Sequence, residues 1–208
     1  MIKNMEKMIC SNKDTIIIKK YLEENGVYEI PNTIEKLKYI VQLIANIPWG
    51  EARKIDEVVK KNKGTCTGKH KLLQSCLNEL GIPNKSVLCT FHWSDKKLKN
   101  FPIDLQKILD SGEWEHGHNF VKLLSEGKWI DVDITFDRNL KDYGFASFPE
   151  DWDGKTSFIS VNPIRRWDDV DIDEKKKELI NELSDEMKVK RKEFLRLFFE
   201  WVEKIRKQ

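Results

Sequence analysis

The chain has 208 residues, 39% hydrophobic and 35% charged, enough to bury one sizeable core but thin for two full domains. Its 37 basic and 35 acidic residues leave a formal charge of +2, so no overall field holds a polyanion, and nucleic acid is excluded as a default partner. The balance also excludes global disorder, and no stretch approaches the ~20 apolar residues that a membrane-spanning helix needs.

The N-terminus carries only broken apolar runs, at 8–10 and 16–18, too short for a signal-peptide core. The large Ile9 before Cys10 argues against lipoprotein processing. A cytoplasmic chain is expected, with no membrane partner and with Cys10, Cys66, Cys76 and Cys89 reduced. After Pro31-Asn32-Thr33, the residues Ile34, Leu37, Ile40, Val41 and Ile44 recur at helical spacing and predict a helix ended by Pro48. A short helix over 52–60 follows, with Ile55, Val58 and Val59 as its stripe, until Asn62-Lys63-Gly64 breaks it. Leu72, Leu73, Cys76, Leu77 and Leu80, closed by Gly81 and Pro83, predict a helix running from Thr65 or Cys66 to Leu80. Cys66 then lies in its first turn.

Residues 85–93 have strand composition. The polar, Lys-rich segment 94–115, with a short helix near 105–109, reads as an insertion over the site that acts as a lid. Residues 117–124 and 128–135 predict a hairpin around Ser125-Glu126-Gly127. Segment 141–170 is expected to wrap irregularly, with Trp152 and Trp167 as anchors. From Asp173 onward the pattern is that of a long amphipathic helix or helix pair. Its broad apolar face of Phe194, Phe198, Trp201, Val202 and Ile205 must pack on the core or on another subunit. The expected division is a core over 1–172 and a helical extension over 173–208.

A thiol in the first turn of a helix lies where N–H groups point outward and the dipole is positive, which favours thiolate and suits an oxyanion. Free cysteine is more often an inert core residue, and Cys76, on its helix's apolar stripe, and Cys89, alternating with Val87 and Phe91, read that way. Gly64 lets the loop enter tightly, and Gly68 leaves room for a substrate chain. With Ser125-Glu126 as a two-residue turn, counting outward sets His118 opposite Asp133, where imidazole and carboxylate share a face. His116 and Asp131, one alternation step away, are the back-up base and acid. His70, one turn after Cys66, either contacts it or, as the favoured reading, caps a surface turn. A zinc site from Cys66, His70, His116 and His118 has suitable residue types, but its spacings match no standard finger.

Taken in order, Gly64-Thr65-Cys66, Gly81-Ile82-Pro83, His118-Asn119-Phe120-Val121, and Trp129 followed by Asp133-Ile134-Thr135 resemble the transglutaminase-like core over roughly residues 46–140. The family pattern is Gly-x-Cys opening a helix, Gly-Ile-Pro after it, His-x-Trp on a strand, and Trp followed by Asp-Pro-Thr. Phe120 stands here for the Trp and Ile134 for the Pro. Lys69-His70 follows the cysteine where many members carry an acidic or aromatic residue. The resemblance implies an α+β fold of the papain-like kind, a nucleophile helix packed on an antiparallel sheet. It implies Cys66 as nucleophile, His118 as base, Asp133 as its orienting acid, and an upstream oxyanion donor, for which Trp49 is the candidate. The implied activity is acyl transfer or hydrolysis on amide bonds of a peptide or protein, with no metal and no organic cofactor. An inactive protein-binding module is the alternative, and a homodimer through the C-terminal helix stays open.

Overall fold

The computed structural model describes residues 2–207; the side chains of 2–12, Cys10 among them, lie outside the described residues. The chain opens with four helices, α1 (Ile2–Glu24), α2 (Thr33–Ala45), α3 (Ile55–Lys61) and α4 (Cys66–Glu79). Asn32 starts α2 by accepting the Ile34 and Glu35 N–H groups on its side chain. Helix α3 begins later than the expected residue 52, because the Ala52 carbonyl is engaged by the backbone N–H and hydroxyl of Thr65. Thr65 caps α4, accepting from the Gly68 N–H at 3.2 Å. That helix closes where Gly81 takes φ +67° and the Ile82 N–H bonds to the Leu77 carbonyl at 2.8 Å.

Strands β1 (Asn84–Phe91), β2 (His116–Ser125), β3 (Lys128–Val132) and β4 (Arg166–Asp168) form one antiparallel sheet in the order β3-β2-β1-β4. Helix α5 (Ile103–Asp110) lies between β1 and β2, and α6 (Ile172–Asn181) and α7 (Asp185–Ile205) end the chain as a pair. Side chains alternate along β2 between two cores. Val121 and Leu123 join a cluster with Leu22, Ile40, Ile44, Leu72 and Leu77 from the first four helices. Phe120 joins an aromatic cluster with Val87, Cys89 and Phe91 of β1 and with Phe194, Phe198, Trp201, Val202 and Ile205 of α7, all five buried within the chain. Among the described residues no helix is long and apolar enough to cross a membrane.

Two expectations are corrected. The hairpin turn is Glu126-Gly127, with Ser125 paired to Lys128, so β2 and β3 are offset by two residues from the counted register. Both turn residues have positive φ, 45° and 76°, the conformation a two-residue hairpin favours, and glycine is at ease there. A slip of two preserves which face each side chain takes, where a slip of one would have reversed it. Segment 141–170 holds little regular structure, as expected, though three of its residues form β4 at the sheet edge. Segment 94–115 sets α5 against α7 and lines no part of the cleft that holds Cys66, so it is not its lid.

Gly68 also has a different role from the one its position suggested. A Cβ there would lie 2.4 Å from the Ala52 carbonyl oxygen and 2.7 Å from a Val58 methyl, so the glycine serves the packing of α4 rather than a substrate. Gly68→Ala is therefore expected to lower stability by about 1–3 kcal/mol through overpacking. A chemical-denaturation midpoint unchanged from the parent protein would contradict this.

Candidate active site

The site is assembled from three distant stretches. Just before α4, the Gly64 N–H bonds to the Pro48 carbonyl at 3.0 Å and the Gly50 N–H to the Gly64 carbonyl at 3.1 Å, fixing the Trp49 segment beside the cysteine loop. Asp137 reinforces this, accepting the Trp49 N–H at 2.7 Å. Arg206, just past α7, donates to Asp137 at 2.9 Å and to the Trp49 carbonyl at 3.2 Å. The Trp49 indole is buried, stacks on Phe199 at 4.8 Å and lines the cleft.

His118, on β2, has its Nε2 2.8 Å from Asp133 Oδ2. The carboxylate is fully buried and saturated. Its Oδ1 accepts from the Thr135 N–H at 3.1 Å and the Thr135 hydroxyl at 2.6 Å, and its Oδ2 accepts from the Ser160 N–H at 2.9 Å and the Ser160 hydroxyl. Burial by itself raises a carboxyl's pKa, but the charge and hydrogen bond of His118, with the Ser160 hydrogen bond, hold Asp133 well below the carboxylate range. Burial likewise opposes charge on His118, and Asp133 overcomes it, with a hydrogen bond to Cys66 adding to the effect, so the imidazole is pushed up to about 9. With Nε2 engaged by Asp133, Nδ1 is the ring nitrogen left for the sulfur.

Cys66 is partly accessible. Burial raises its pKa, but the Lys176 charge, the His118 hydrogen bond and charge, and the Asn119 backbone N–H bring it down to about 5. Lys176 reaches in from α6, with its Nζ 3.5 Å from the sulfur, 2.8 Å from the Thr67 hydroxyl and 2.6 Å from Asn119 Oδ1. Burial drives the Cys76 thiol up and pushes the Cys89 thiol to about 12. Of these three cysteines, only Cys66 is ionised at neutral pH.

The other candidates are placed elsewhere. Asp131 is bound by both Nη atoms of Arg166 at 2.8 Å, outside the cleft. His116 lines the cleft, buried against Trp114 and Phe194, and burial lowers its pKa against the pull of Glu113. His70 is buried, correcting its expected surface position. Its Nδ1–H donates to the Cys66 carbonyl at 2.7 Å and its Nε2 accepts the Ile134 N–H at 3.0 Å, a neutral ring that burial holds down to about 4. With both ring nitrogens engaged, His70 has none left for a metal. Among the described residues, no group of three or more His, Cys, Asp or Glu is arranged to hold a metal ion.

Sequence reasoning missed Lys69, Lys176 and Ser160. Lys69 is entirely buried, donating to the carbonyls of Ala45, Ile47 and Thr135 at 3.0, 2.7 and 3.1 Å, and burial lowers it to about 7. It pins the end of α2 to the segment after β3 that carries Asp133. Lys176 sits in a run of three lysines with nothing in the sequence to single it out.

The sequence profile of the transglutaminase-like superfamily matches residues 19–134, the stretch that contains Cys66, His118 and Asp133. No curated protein matches the chain. A solved structure described as a TGase aligns with TM-score 0.45 at 15% identity, over 67% of this chain and 34% of that one. A candidate cysteine protease from Cytophaga hutchinsonii aligns with TM-score 0.41 at 15% identity, over 74% and 50%. The chain thus covers half or less of the length of these structures. The superfamily profile takes in more than half of the sequence, and on that match the chain belongs to the transglutaminase-like superfamily.

Proposed function

We propose that the protein is a cysteine-dependent enzyme that cleaves or transfers the acyl group of an amide bond in a peptide or protein. The observation that carries this reading is the continuous line from a thiol lowered to about 5, through an imidazole raised to about 9, to a buried and saturated carboxylate. Between those two values the pair exists as thiolate and imidazolium, the form ready for reaction. The Cys66 thiolate attacks the carbonyl carbon, and the oxyanion forms beside the outward-pointing N–H groups at the start of α4. His118 gives its proton to the departing amine, leaving a thioester on Cys66. Water, or a second amine, then attacks this thioester, losing its proton to His118 and releasing the thiolate. Asp133 holds the ring and its charge throughout. Trp49, on the cleft wall, is the side chain we assign to help the oxyanion.

Alkylation by iodoacetamide with peptide mapping tests this reading directly. Cys66 is expected to react with an acid limb near pH 5, because its thiolate is lost only as pH falls through that value, while Cys76 and Cys89 stay silent in the folded protein. An acid limb in the ordinary thiol range, or equal labelling of all three, would defeat the assignment. Loss of amide-cleaving or acyl-transferring activity in Cys66→Ala is the companion result.

A further inference from the structure

The chain has seven arginines. Five of them, Arg138, Arg165, Arg166, Arg196 and Arg206, are paired with carboxylates. The remaining two, Arg53 and Arg191, have no carboxylate partner among the described residues, and both line the cleft that holds Cys66. We propose that this cleft receives an acyl donor bearing a carboxylate, an acidic peptide, with Arg53 and Arg191 as the pair that binds its charge. The proposal rests on Cys66 being the nucleophile and adds the substrate class.

Several observations converge on this pair. The cleft wall contains no Asp or Glu. Glu115, which lines a neighbouring pocket with Arg191 and Lys176, is taken by Arg165, and the acids close in sequence are likewise paired, Glu51 with Lys63 and Glu193 with Arg196. Lys176, the third cation of the cleft, is already committed to the sulfur, Thr67 and Asn119. The two arginines come from different elements, Arg53 from the loop before α3 and Arg191 from α7, and their like charges repel. Burial and Arg53 together hold Arg191 below the usual guanidinium range, and both arginines depress Lys176. Arg53 is exposed at the cleft and Arg191 is half-buried, so it is for Arg191 that removal from water without a partner is unfavourable. A carboxylate held between two guanidinium forks reverses that, and guanidinium suits planar oxygen pairs better than an ammonium does. The aromatic wall of Trp49, Phe91, Trp93, Phe136 and Phe199 leaves these two charges as the polar feature that selects one substrate from another.

Iodoacetate and iodoacetamide provide the test, because both alkylate the same thiolate and differ in carrying a carboxylate or a neutral amide. Any change in the ionisation of Cys66 or in the fold scales both rates together, so their ratio isolates recognition of the negative charge. The ratio at Cys66 is expected to fall about fivefold in Arg53→Gln and in Arg191→Gln, and further in the double variant. Neither substitution orphans a partner, so both variants should fold. In a second arm, acetyl-glycyl-glutamyl-glycinamide should protect Cys66 from iodoacetamide at constant ionic strength better than its glutaminyl counterpart or inorganic phosphate. A ratio unmoved by both substitutions, equal protection by the two peptides, or stronger protection by phosphate would overturn the proposal. Failure of the parent protein's Cys66 to react with either reagent would instead remove the nucleophile reading beneath it.

Discussion

Asp133→Asn is expected to destabilise the protein by about 3–5 kcal/mol, the scale for breaking a buried, hydrogen-bonded charge pair, and to shrink the pH range over which Cys66 is reactive. An asparagine keeps one acceptor oxygen and turns the other into a donor. The amide nitrogen must then face either the N–H and hydroxyl of Thr135 or those of Ser160, two donors in both cases, and neither arrangement satisfies them. The depressed pKa of Asp133 means that its contribution is present above the ordinary carboxylate range and is lost as pH falls toward the folded value. The stability gap between variant and parent should therefore be full at neutral pH and narrow in acid. His118 loses the charge that raised it to about 9, so the alkaline edge of the thiolate–imidazolium window moves down toward neutrality. Denaturant midpoints and the alkylation profile of Cys66 measure the two effects separately. Asp131→Asn, which breaks only the link to Arg166, should leave that profile unchanged. If Asp131→Asn narrows the window and Asp133→Asn does not, the orienting acid is misassigned.

Removing residues from Asp173 onward is expected to leave a chain that does not fold to a stable state. The lost helices bury Phe194, Phe198, Trp201, Val202 and Ile205, each worth roughly 1.5–3 kcal/mol, against a typical domain stability of ~5–15 kcal/mol. The cut also strips cover from Trp49 and Trp93, whose rings pack on Phe198 at 5.3 and 4.5 Å. It takes Arg206 from the buried Asp137 as well. Aggregation and loss of a cooperative thermal transition are the readouts. A truncated protein that stays monomeric with a sharp transition, where the intact chain is a dimer, would make α7 an assembly element instead.

What could be read from the sequence was what depends on local pattern. Helix α4 was legible because Thr65, the apolar stripe and Gly81 each mark it, and that also set Cys66 in a first turn. The pairing of His118 with Asp133 survived a wrong turn assignment because the error was an even number of residues, and period-two alternation forgives even slips. Contacts between distant segments were not legible. Ser160 binds Asp133 from an irregular stretch, and no periodicity points to it. Lys69 and Lys176 look like surface lysines, since burial of an ammonium is decided by carbonyls and side chains that only the tertiary fold collects. Strand β4 is three residues long, too short to carry an alternation signal. The expected lid fell on 94–115 because that segment is polar and Lys-rich, whereas the cover over Cys66 comes from α6 and α7, whose charged faces look solvent-directed in sequence.

The lysine beside Cys66 is 110 residues further along the chain than the sulfur it touches. On the ribosome, the thiol is made long before the cation that helps to ionise it. A nascent chain stalled before α6 should carry a less acidic thiol at position 66, even where the earlier helices and the sheet have already formed. Reactivity is then acquired last. A fluorescent maleimide added at mildly acidic pH would then report completed molecules in a translation mixture.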